Sequence, residues 1–150
     1  MTDAARTLLV AGALTAIAAT TFVLRMRRHD VDSHERLIAE LRAANAAALL
    51  LAATGASTIG FAVANGAADT AALEMALALL VVGAAGAMLF RAPREALWLG
   101  ALVFIAHALI DLAHRPGWLS TDLFPRGYLI GSAVYDACLA GLCFLARQRA

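Results

Sequence analysis

His107, Asp111 and His114 follow one another at intervals of four and three residues inside an otherwise apolar stretch. On an α-helix those offsets bring all three side chains onto one face. Ionisable groups within an apolar helix are costly and rare, so a stripe of them needs a physical reason. Two imidazoles with a carboxylate between them form half of a divalent-metal site, with donors that suit Zn, Fe or Mn. The spacing is not that of the zinc-protease motif, which needs a glutamate directly after its first histidine. Haem is disfavoured on geometry, because axial histidines approach one iron from opposite sides and these two share one helix face.

Depth along neighbouring helices brings in partners. The loop between the last two apolar runs centres near residues 121–122. In an antiparallel pair, positions whose numbers sum to about 243 then lie level, which sets His107 against Asp136, each roughly 13 Å from its helix end at the helical rise. Glu74 falls roughly 7 Å inside its own run, level with Asp111. The candidate metal ligands are therefore His107, Asp111, His114, Asp136 and Glu74, with Asn65, Asp69 and Tyr135 near enough to orient them. Two other readings fit the same residues. One is a buried ion-pair network that fixes helix packing, and the other is a relay for protons or ions.

The elements that must position these groups are long and apolar. Of 150 residues, 62% are hydrophobic and 15% charged, with a mean hydropathy of +0.76. That exceeds the roughly 45–50% apolar share of soluble domains, and a soluble chain of this size could not bury so much. Five apolar runs, 7–24, 43–64, 70–90, 96–113 and 127–146, each approach the ~20 residues that a bilayer core requires. The expected fold is all-α: a single polytopic membrane domain over residues 1–150 with five transmembrane helices.

Charge order sets the expected orientation. Asp3 and Arg6 precede the first run, Arg25, Arg27 and Arg28 follow it, and no small-residue cleavage site ends it. This fits a retained anchor with the N-terminus outside. Nine arginines (25, 27, 28, 36, 42, 91, 94, 147 and 149) then lie inside, against Arg6, Arg115 and Arg126 outside. The bias follows the positive-inside rule, puts the C-terminus in the cytoplasm and makes the chain a multi-pass protein of the inner (cytoplasmic) membrane. Residues 30–42 carry Val31, Leu37, Ile38 and Leu41 at near-helical spacing behind Asp32-Ser33. They read as a short amphipathic cytoplasmic segment, either an interfacial helix or an extension of the second span. Gly127-x-x-x-Gly131 reads as a close-approach pattern. Cys138 and Cys143 lie on different helix faces and read as packing residues rather than a disulfide. A net charge of +1, with no basic tract among aromatics, argues against a nucleic-acid partner.

The run His107-Ala108-x-x-Asp111-x-x-His114, then a Pro- and Trp-containing loop, then Tyr135-Asp136, resembles a pattern in small bacterial multi-helix membrane proteins without an assigned activity. The resemblance covers the last third of the chain and implies a polar site at the outer face. More distantly, the set is similar to that of intramembrane hydrolases that build a zinc site from His and Asp on several helices. Those use three histidines from separate spans, whereas this chain offers two on one span. The outer loop supports an outward-opening site, with Trp118, Phe124 and Tyr128 as interfacial aromatics and Arg115 and Arg126 as helix-end charges. The expected protein is a membrane protein with an outward-opening polar site for a divalent metal (Zn, Fe or Mn); if it is an enzyme, the chemistry such a site implies is metal-assisted hydrolysis of a lipid or amphiphile. The alternatives are a proton- or ion-translocating transporter subunit, and a structural or assembly subunit. Partners are the lipid bilayer and, for either alternative, a homo-oligomer or larger membrane complex.

Overall fold

The computed structural model describes residues 3–65, 71–114, 123–124 and 127–148. Within them the chain forms α1 (Asp3–Met26), α2 (His34–Ala64), α3 (Ala72–Met88), α4 (Pro93–Ala113) and α5 (Tyr128–Arg147). Among the described residues, α2, α4 and α5 are long and apolar enough to cross a membrane, while α3 and the Val10–Met26 part of α1 are shorter apolar helices. Large apolar side chains line the exterior: Leu49 is 72% exposed, Leu80 69% and Leu109 62%. Such a surface is covered by lipid rather than by water.

Small residues face inward. On α2, Ala44, Ala47, Ala48, Gly55, Thr58 and Ala62 are buried in a three- and four-residue rhythm. Ala96, Gly100, Ala101 and Ala108 do the same on α4, and Ala133 and Ala140 on α5. Without a strong hydrophobic drive between helices in lipid, such residues let backbones approach and gain dispersion contacts. α4 packs most extensively on α5 and α2 on α3, whereas α1 leans on α5 and barely touches α2. The tightest approach is at Gly55, where an added Cβ would come 2.8 Å from both the Ala78 carbonyl oxygen and Val82 Cγ2. The Gly127-x-x-x-Gly131 pattern works otherwise than expected. No heavy atom lies within 4 Å of a Cβ built at either glycine, and Gly127 instead starts α5 with a left-handed φ of 82°.

The segment 30–42 is an extension of the second apolar helix, not a separate element. Ser33 caps α2 by accepting from the Arg36 backbone N–H at 3.1 Å, and the helix runs unbroken from His34 to Ala64. Its faces are inverted relative to a soluble helix. Leu37, Ile38 and Leu41 point outward, while Arg36 and Glu40 are each only 2% exposed. Arg36 Nε donates to Glu40 Oε1 at 2.9 Å, Nη1 to the Met26 carbonyl at 3.0 Å, and Nη2 to the carbonyls of Ala146 at 3.1 Å and Gln148 at 3.2 Å. One guanidinium thus satisfies carbonyls that the C-terminal ends of α1 and α5 leave open, at the negative ends of both helix dipoles. Arg94, from the first turn of α4, closes on the other side of the same carboxylate, with Nε donating to Glu40 Oε2 at 2.9 Å. Glu40 lies outside the apolar stretch 43–64. Burial pushes its carboxyl up, but hydrogen bonds and charge from Arg94 and Arg36 outweigh burial and hold it below its ordinary value.

Candidate metal centre

Three of the five candidate ligands meet. His107 and Asp111 stand one turn apart on the buried face of α4, and Asp136 stands on the facing side of α5. Ala108 and Ala133 are the buried neighbours at this level, and their small side chains let the two helices close until polar groups touch. His107 Nδ1 lies 2.7 Å from Asp136 Oδ2 and 3.6 Å from Asp111 Oδ2. One ligating atom from each of the three residues falls within 4.8 Å of the others. All three side chains are buried, and Asp136 is fully so.

The cluster is short of positive charge and of donors. A single Nδ1–H can make one good hydrogen bond, and the 2.7 Å contact assigns it to Asp136. Among the described residues, Asp111 Oδ2 and Asp136 Oδ1 are left buried without a hydrogen-bond partner. Two carboxylates in a low-dielectric interior need a cation or protons to compensate them. A divalent ion with two carboxylates and a neutral imidazole is charge-neutral. The donor set and the two free carboxylate oxygens fit Zn, Mn or Fe(II).

His114 and Glu74 are buried but stand outside this three-residue group. His114 caps the end of α4, with Nδ1 donating to the Ile110 carbonyl at 2.8 Å. Its Nε2 is buried without a partner among the described residues. Its ring meets Phe124 edge-on at 5.3 Å, and Phe124 stacks parallel to Tyr128 at 5.7 Å. Phe61 of α2 closes on Tyr128 at 4.9 Å, and Asn65 ties the group down by donating to the Leu123 carbonyl at 3.0 Å. Tyr128 precedes Asp136 by eight residues, so the aromatic group sits about 12 Å along the helix from the cluster, on the side of the α4–α5 connection. Tyr135 turns toward α1, where a Cβ at Gly12 would meet its Cδ2 at 3.8 Å. Asp69, Arg115, Trp118 and Arg126 lie outside the described residues.

The Arg36–Glu40–Arg94 network at the opposite end is the polar constellation that sequence reasoning missed. The four-residue spacing of Arg36 and Glu40 was its one visible signal. Arg94 reads in sequence as an ordinary loop charge, because nothing local announces a partner 54 residues away. A cavity of about 290 Å³ opens beside Arg94, lined also by Arg91, Glu95, Trp98, Leu99 and Arg147. An apolar groove of about 410 Å³ runs along α1 against α2, α4 and α5. Neither cavity includes a residue of the cluster. The chain matches no family model, no curated protein and no solved structure.

Proposed function

We propose that the protein is a five-span inner-membrane protein, N-terminus outside, that holds a divalent metal on His107, Asp111 and Asp136. In this reading the metal sits in the outer half of the membrane and serves hydrolysis of a lipid or another amphiphile. The observation that carries the metal is the pair of buried carboxylate oxygens without partners around one imidazole. Three protein ligands leave a coordination position for water, and a bound Zn²⁺ brings the pKa of that water to about 7. Asp136 also fixes the tautomer and orientation of His107 through the 2.7 Å contact. A second reading, a proton relay, draws on one imidazole between two carboxylates: in the tautomer that leaves Nδ1 unprotonated, it takes the proton of a protonated Asp111 and gives it to the ionised Asp136 carboxylate.

Elemental mass spectrometry of detergent-purified protein tests the assignment, with a His107→Gln/Asp111→Asn variant beside the parent. About one equivalent of Zn, Fe or Mn in the parent and none in the variant is expected. Metal absent from both after growth with metals supplied overturns the assignment. The relay then predicts altered proton flux for Asp111→Asn and Asp136→Asn. A packing or assembly role predicts that both variants fold and behave as the parent.

A further inference from the structure

The cavity at the other end of the α4–α5 pair is built differently from the cluster. Arg91, Arg94 and Arg147 line it against one acid, Glu95, so its walls carry a net positive charge. Arg94 is held in place by Glu40, through Nε at 2.9 Å and Nη2 at 3.2 Å. Its position is therefore fixed before any ligand arrives. Arg147 lies over the Trp98 ring at 4.8 Å, a stacking that orients a guanidinium while leaving N–H donors at its edge. Among the described residues neither Arg91 nor Arg147 is in an ion pair. Leu99 and Leu102 continue the wall along α4, and Leu102 and Ile105 beyond it face outward. Charged donors converge at one end of an apolar strip, and the indole stands where the two meet. That arrangement matches a phosphate ester attached to a hydrocarbon tail.

We propose that this cavity binds the phosphate of an anionic ligand, which in the membrane is the headgroup of an anionic phospholipid such as phosphatidylglycerol. Arg91 and Arg147 bind the phosphate, Arg94 supplies a fixed charge behind it, and Glu95 accepts from headgroup hydroxyls. Leu99 and Leu102 take the first carbons of an acyl chain. The inference rests on the membrane reading of the chain and is independent of the metal.

Trp98 is a reporter inside the site, and the sequence has only one other tryptophan. A Trp118→Phe protein is reconstituted into phosphatidylcholine vesicles containing a minority of phosphatidylglycerol. Either lipid in turn carries brominated chains, which quench indole fluorescence on contact. Brominated phosphatidylglycerol should quench Trp98 several-fold more than its mole fraction predicts, and brominated phosphatidylcholine should not. Arg91→Gln/Arg147→Gln should abolish that preference, while Arg91→Lys/Arg147→Lys keeps part of it. Both residues are exposed, and an unchanged melting temperature in lipid-free detergent verifies folding. Inorganic phosphate separates the sources. If it competes with the lipid, the site takes a free phosphate as well; if it does not, the site requires the tethered headgroup. Equal quenching by both lipids in the parent, or a preference that survives the glutamine variant, overturns the proposal.

Discussion

Glu40 carries two arginines on one carboxylate, with Glu40 and Arg36 buried and Arg94 partly exposed. Removing one partner of a buried ion pair leaves the other charged and uncompensated, which typically costs about 3–5 kcal/mol. Glu40→Gln should therefore lower unfolding stability by about that amount, read from denaturant titration in detergent. The folded state holds the Glu40 carboxyl below its ordinary value, so the unfolded chain takes up the proton first as pH falls. The stabilisation is thus present above the usual carboxylate range and is lost as pH drops through and below it. The parent should lose stability on acidification faster than Glu40→Gln, and parallel pH profiles would contradict the assignment. His107 and Asp136 were legible as a pair from depth alone, because a regular helix converts residue number into height and a short connection fixes where two helices are level. Glu40 was not legible. Counting arginines on each side gives orientation but never says which one folds back onto an acid.

At the scale of the helix, the five apolar runs were legible as five helices, three of them long and apolar enough to cross a membrane, because a segment in lipid must satisfy its own backbone and so is long and unbroken. The segment 30–42 was legible as helical, with an extension of the second span as one of two readings, and residues 34–42 take that one; which of its sides is buried was not legible. Its exposed leucines suggested an amphipathic strip on a surface, whereas the charged side of that strip is the buried one. Helix contacts were harder still, since an alanine-rich chain offers small residues on every face. Gly55 and Gly100 show what decides the matter. A methyl at Gly55 would press on the Ala78 backbone oxygen, which moves only with all of α3. A methyl at Gly100 would meet the end of the Met88 side chain at 2.9 Å, and a methionine terminus can turn aside. Gly55→Ala should destabilise by about 1–3 kcal/mol, as overpacked cores do, and Gly100→Ala by under about 1 kcal/mol, where methionine repacks. Equal melting temperatures for the two variants would show that α2 and α3 are not held at this distance.

For the molecule as a whole, two polar centres sit at opposite ends of an apolar bundle. The one rich in arginine faces the cytoplasm under the proposed orientation, and the one rich in carboxylate faces out. A fluorescent protein fused after residue 150 should mature, and alkaline phosphatase at the same position should be inactive. The reverse result would require an even number of spans or an inverted bundle. The donors of Arg36 also bear on how the chain is made. They reach carbonyls at the ends of α1 and α5, one made before α2 and the other well after it. While α2 is being inserted, two of those three acceptors do not yet exist, and the guanidinium must stay at the water boundary. The charged end can close over it only after residue 148 has been synthesised. Until then the two carbonyls at the end of α5 cannot shelter the guanidinium, so burial of Arg36 is a late event that follows the synthesis of α5.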